Sequence, residues 1–330
     1  MPKRTDQGAR RRVCIGIAAG VLAPPFMARA QQREKVFRVG ALASTGGTAW
    51  DAFGQAMREL GYVEGRNLVI EARFARGQPD RFPALAAELV DAKVDVIVTS
   101  STQASLAAKG ATTAIPIVMA LSAYPEKMGL VESLARPGGN VTGFTNVAAQ
   151  LSGKRFELLR QLAPRVSRLA MLWDPSSRIE VVALPDNKAA AAAIGMELVS
   201  IEVRGRDDYA AAFAALKAQH ADAITVNGNP VNFANAKQIA EFIVGSQLPS
   251  VFDVRLFVDA GGLFSYGTDY LDLFRRSAGY VDKILKGARP GDLPVQQPTK
   301  FELVINARTA KALNLAIPGE LQLRADAVLQ

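Results

Sequence analysis

Ser100-Ser101-Thr102, with Gln103 next, is the chemically most persuasive cluster in the sequence. Hydroxyls and backbone N–H groups at the start of a helix form an anion-binding nest, which would suit a substrate carboxylate. The same residues can also act simply as a helix cap. Asp253 and Asp269 are the acids placed to hold a substrate ammonium, although Asp269 could instead cap the helix that carries Leu273, Tyr280 and Ile284. Trp173 and Tyr124 offer rings for stacking on an apolar or aromatic ligand, with a core role open to Trp173. Ser44, Thr45, Asn227, Asn229 and Tyr266 complete the set. These residue types hold a small molecule through charge, hydrogen bonds and stacking.

Groups that would change a bound molecule are scarce. One His and one Cys in 330 residues cannot build Cys₂His₂ or His₃ metal sites or a disulfide framework. A Ser-His-Asp triad would need His220, which precedes the Ala221–Val226 strand at its amino end, where α/β active sites do not lie. There is no G-x-x-x-x-G-K-[ST] phosphate loop, no G-x-G-x-x-G spacing and no G-x-S-x-G elbow. We therefore expect binding without turnover and no cofactor. A carboxylate-based hydrolase is the enzymatic alternative, and turnover of a bound ligand would reveal it.

Strands and helices must alternate to place these residues. Phe37–Ala43 is a short apolar strand, and Trp50, Phe53, Met57 and Leu60 follow at helical spacing before Gly61. Leu68–Phe74, Val94–Val98 and Ile115–Leu121 are further strands, with the Phe82, Leu85, Ala86, Leu89, Val90 stripe between the first two. Continuous apolar runs separated by amphipathic helices predict a parallel sheet covered on both faces. The pattern then restarts. The strands led by Arg38 and Arg168 lie 130 residues apart, and those at Val69 and Val199 share that offset. The strand at Asp95 recurs at Asp222, and the one at Pro116 at Pro249. The chain is thus two copies of one βα unit, and two such units facing each other form a cleft beyond the carboxyl ends of their strands.

The first thirty residues stand apart. Lys3, Arg4 and Arg10–Arg12 precede an apolar stretch, Val13–Met27, and then Ala28-Arg29-Ala30, the pattern of a secretory signal peptide cut after Ala30. The arginine run also permits a twin-arginine exporter. Residues 1–30 hold six of the 39 Lys+Arg and one of the 31 Asp+Glu, which leaves 33 basic and 30 acidic residues, a net of +3. Such a near-balanced chain gives no reason to expect nucleic acid as a partner.

Four strings carry a family resemblance: Glu59–Leu68 (ELGYVEGRNL), Leu134–Gly143 (LARPGGNVTG), Tyr266–Tyr270 (YGTDY) and Leu303–Asn306 (LVIN). Together they resemble the extracytoplasmic solute-binding proteins of a bacterial ABC-transporter family, the tryptophan/aromatic amino-acid type, over nearly all of residues 36–316. The resemblance implies the type I periplasmic binding-protein fold, with two Rossmann-like lobes of parallel sheet joined by a three-crossover hinge. The amino-terminal lobe would be 31–147 plus 260–295, and the carboxy-terminal lobe 148–259 plus 296–330. The second crossing would fall near Asp259-Ala260-Gly261-Gly262 and the third in Pro290–Pro298. The resemblance also implies a periplasmic monomer that delivers an amino acid or related carboxylate to an ABC permease, with a periplasmic ligand sensor as the alternative. Ala123-Tyr124-Pro125 and Asn227-Gly228-Asn229 replace the family's usual Ser-Asp-Pro and Thr-Asp-Asn, so other small carboxylates or amides come into range beside tryptophan.

Overall fold

A computed structural model describes residues 35–147 and 150–330. The expected leader, residues 1–30, lies outside the described residues.

Short apolar runs that cannot satisfy their backbone alone form the first sheet. Its strands are β1 (Phe37–Ala43), β2 (Leu68–Phe74), β3 (Val96–Thr99), β4 (Ile117–Met119) and β5 (Val141–Gly143), all parallel, in the order β2-β1-β3-β4-β5. Helices α1 (Thr48–Glu59), α2 (Phe82–Asp91) and α3 (Thr102–Ala111) connect them. Side chains alternate across a strand, so Val39, Val96 and Val98 pack towards α1 while Leu42, Ile97 and Met119 pack towards α2 and α3.

The second sheet repeats this design. Strands β6 (Arg168–Trp173), β7 (Glu197–Glu202), β8 (Ala223–Val226), β9 (Ser250–Phe252) and β10 (Phe264–Thr268) stand in the order β7-β6-β8-β9-β10. The order matches the first sheet strand for strand, as the 130-residue offset predicts. Helices α4 (Ser152–Leu162) and α5 (Arg178–Ala193) contribute to the core on one face. On the other lie α6 (Tyr209–Ala218), α8 (Ala236–Ser246) and α9 (Leu256–Asp259), with the short α7 (Pro230–Ala234) preceding α8.

After β10 the chain returns to the first sheet as α10 (Tyr270–Leu285). This helix buries Leu273, Phe274, Ala278 and Val281 against Phe53, Ala56 and Met57 of α1. The carboxyl end then completes the second sheet with β11 (Phe301–Asn306), α11 (Ala307–Ala312), α12 (Gly319–Arg324) and β12 (Ala327–Leu329). Among the described residues, only the β10–β11 pair is antiparallel.

The expected second crossing at 259–262 needs correction. Residues 264–268 pair with β9, so the chain leaves the second sheet at Asp269. Gly262 serves packing instead: a Cβ there would fall 2.3 Å from the Phe252 ring. The three connecting segments are joined to one another. Thr145 N–H donates to Gln296 O (3.0 Å), Gln296 N–H to Gly143 O (2.9 Å), and Asp269 N–H to Lys300 O (3.2 Å).

Candidate functional site

A cavity of about 490 Å³ lies between the two sheets' strand ends, within the range of roughly 300–1,000 Å³ typical of small-molecule sites. It is lined by Ser101, Thr102, Gln103 and Tyr124 from the first lobe and by Asn227, Asn229 and Asp253 from the second. Seven of the sequence-derived candidates therefore meet in one place.

The first wall is the start of α3. Ser101 is the N-cap, its Oγ accepting from Ala104 N–H at 3.2 Å. Thr102 Oγ1 accepts from Ala123 N–H (2.8 Å) and lies 3.2 Å from Ser122 Oγ, which ties the loop after β3 to the loop after β4. Both hydroxyls thus shape the wall. A helix leaves its first N–H groups without intrahelical acceptors, so the backbone N–H groups of Thr102 and Gln103, carrying the positive end of the α3 dipole, are the groups suited to an anion here. Tyr124, held at φ 49°, lines the same wall.

Carboxylates dominate the second wall. Asp253, 4% exposed, accepts from Gly228 N–H at 2.8 Å. Burial pushes its carboxyl up, and the buried Arg155 guanidinium opposes that shift. Glu180, 5% exposed, accepts from Asp174 N–H (2.7 Å) and from Asn229 Nδ2. Burial pushes it up to about 7, against the pull of those two hydrogen bonds. Asn229 also caps α7, accepting from Asn232 N–H at 2.7 Å. Tyr270 reaches the cavity from the second crossing and shares a hydrogen bond with Asn146 of the first.

Hydrogen bonds join the lobes across the gap. Tyr124 Oη donates to Asp186 Oδ2 (3.3 Å), and Ser44 Oγ donates to Pro230 O (3.0 Å) while accepting from Gly77 N–H (3.2 Å). The lobes are therefore drawn together over the cavity.

Five candidates sit elsewhere. Ser44, Thr45 and Asp269 line a separate cavity of about 460 Å³ between the lobes. Asp269 is the N-cap of α10, its Oδ1 accepting from Asp272 N–H at 3.0 Å. Tyr266 packs on the core beneath α4, 6.5 Å from the Phe301 ring, because strand alternation turns it there with Phe264. Trp173 lines neither cavity; on β6 it shares the sheet face of Leu169. His220 is exposed at the end of α6, with φ 51°.

Sequence reasoning missed Glu180 and Tyr270. A signal existed for Glu180: Ser177-Arg178-Ile179-Glu180 has capping-box spacing, and Ser177 Oγ does cap α5. The glutamate turns away to Asp174 and Asn229 instead. Tyr270 lay in a string already singled out, but which of its residues faces the cleft depends on where β10 ends.

Among the described residues, no group of three or more His, Cys, Asp or Glu could hold a metal ion, and no helix is long and apolar enough to cross a membrane.

Comparison with known proteins places this geometry in context. The family described as ABC transporter substrate binding protein matches residues 47–329. The chain is 28% identical over 266 residues to a tyrosine-binding protein of Clostridioides difficile (strain R20291), covering 80% of this chain and 75% of that one. A conserved domain protein from Vibrio cholerae superposes with a TM-score of 0.82 at 28% identity, over 89% of this chain and all of that one. The ABC domain in complex with L-Trp from Streptococcus pneumonia gives 0.81 at 26% identity, with the same coverage. Leucine-binding protein from Thermotoga maritima shares the fold at 16% identity and a TM-score of 0.53, over 78% of each chain.

Proposed function

We propose that this chain, which belongs to the ABC transporter substrate-binding protein family, captures an amino acid or related small carboxylate between its lobes outside the cytosol and delivers it to an ABC importer. The observation that carries this reading is the opposition of unlike charge across one cavity. The α3 N-terminus stands on one wall, and Asp253 and Glu180 stand on the other. An amino acid carries a carboxylate for the first and an ammonium for the second. The tyrosine-binding relative and the L-Trp complex support an amino-acid ligand. The rings of Tyr124, Phe233 and Tyr270 supply faces for an apolar side chain.

Capture then follows from the hinge. Ligand bound to one wall gains the contacts of the other only when the lobes meet, so it favours the closed form by the worth of those added contacts. The closed pair of lobes is the form offered to the permease. The basic and apolar segment before residue 31 supports export as the route to that partner.

Native mass spectrometry of protein taken directly from cells should detect a co-purified amino acid or small carboxylate. Calorimetry across a panel of amino acids and aromatic acids should then find a saturable ligand. Asp253→Asn should weaken an ammonium-bearing ligand by about tenfold or more while circular dichroism stays unchanged. A panel with no binder would overturn the reading.

A further inference from the structure

Helix α5 has a weak point in its hydrogen-bond ladder. Pro185 stands inside it. Proline has no N–H to donate to the carbonyl four residues back, here that of Val181, and its ring crowds that carbonyl. Close by, the buried Asn187 turns its side chain into the ladder, Nδ2 donating to Ala183 O at 2.8 Å. A polar side chain on the carbonyl four residues back is a second cause of bending. The helix is therefore easiest to break between Val181 and Asn187.

The two halves of α5 are anchored differently. The carboxyl half is fixed inside the second lobe. Asn187 Oδ1 lies 2.6 Å from Ser152 Oγ, Arg155 Nη2 donates to the same hydroxyl (2.8 Å), and Ala191 is buried in one apolar cluster with Leu159 of α4. The amino half leans on the opposite lobe. Ile179 and Val182 pack against the first lobe's apolar cluster, as Leu134 does, and Asp186 accepts from Tyr124 Oη (3.3 Å). Glu180 tethers this half to its own lobe through Asp174 N–H and Asn229. Parting the lobes takes away the first-lobe contacts and leaves that tether.

We propose that residues 178–184 are a lid hinged at Pro185, seated on the first lobe when the lobes meet and loosened when they part. The lid rests on the capture reading for its purpose, but not on which solute is captured. A solute enters while the segment is loose. It is enclosed when Ile179 and Val182 seat on the first lobe, with Glu180 at the cavity wall.

Amide hydrogen exchange of the whole protein without ligand tests this. The comparison uses residues 181–184, whose N–H groups have acceptors a turn back, as Val181 has in Ser177 O at 3.0 Å. They should exchange about tenfold faster or more than residues 188–193 of the same helix. Pro185→Ala supplies the missing donor at an exposed position. It should slow exchange at 181–184 by about tenfold or more and leave 188–193 unchanged. Ile179→Ser with Val182→Ser removes the apolar seat, and should speed 181–184 further without affecting 188–193. Equal protection along α5 in the natural sequence would overturn the proposal. So would unchanged exchange at 181–184 in Pro185→Ala or in the double variant. No ligand enters the measurement, so a solute panel without a binder would overturn the capture reading and leave this result standing.

Discussion

Glu180 shows how one buried acid can set the response of the cleft to pH. Its carboxyl is pushed from an ordinary 4.5 up to about 7, by burial first and by neighbouring Asp174 and Asp253 in smaller part. A folded value above the unfolded one means that the protonated acid is the stabilising form. That contribution is complete below about pH 4 and is lost as pH rises through 7. Glu180→Gln should therefore flatten the fall in stability between pH 5.5 and pH 8, by up to about 2 kcal/mol across that window. Chemical denaturation at both pH values would measure it, and an unchanged slope would show that the carboxyl titrates normally. Capping-box spacing around this residue is legible in the sequence, but nothing there places it in the cleft, since Asp174 and Asn229 reach it through the fold.

Among the elements, β10 does the most to position the site. Its Gly267 lies against the backbone of Asp253, where a Cβ would fall 1.8 Å from the Asp253 carbonyl oxygen. Only hydrogen fits there, so the loop after β9 is held where Asp253 faces the cavity. Gly267→Ala should push that loop away, costing about 3 kcal/mol of stability and weakening ligand in the first cleft. Denaturant titration and calorimetry would detect both losses, and full stability would show that the loop yields freely. Strands such as Phe37–Ala43 and Leu68–Phe74 were legible residue for residue from their apolar runs. The strand Phe264–Thr268 was not, because it follows Gly261-Gly262, where the second crossing was expected, and only its pairing with β9 places it in the second sheet.

For the whole molecule, the decisive contacts are those between lobes. Gly77 has φ 74°, and a Cβ there would come within 2.4 Å of the Ala234 Cβ on the opposite lobe. Gly77→Ala should hold the lobes apart, raise the radius of gyration in small-angle scattering and weaken ligand capture. Gly61→Ala is the control, since Gly61 also has positive φ, 92°, but nothing within 4 Å. It shares the backbone penalty of roughly 1–2 kcal/mol without the clash. An equal radius in the two variants would show that this contact does not govern closure.

The sequence alone determined the twofold α/β plan, because hydrophobic periodicity is local and its repetition at a 130-residue offset needs no coordinates. It also pointed to the loops after β1, β3, β4, β6, β8 and β9 as candidates to face a ligand, since the ends of parallel strands must lie together, and candidates from the loops after β3, β4, β8 and β9 line the first cavity. Tertiary structure decided which side chains in those loops remain for a ligand. Thr102 and Asp269 are taken up by hydrogen bonds to Ala123 and Asp272, Tyr266 turns to the core, and Glu180 enters from a helix whose amphipathic pattern is weak. Such choices depend on partners distant in the chain, and no local pattern records which of two hydrogen-bonding partners will be nearer once the lobes have folded.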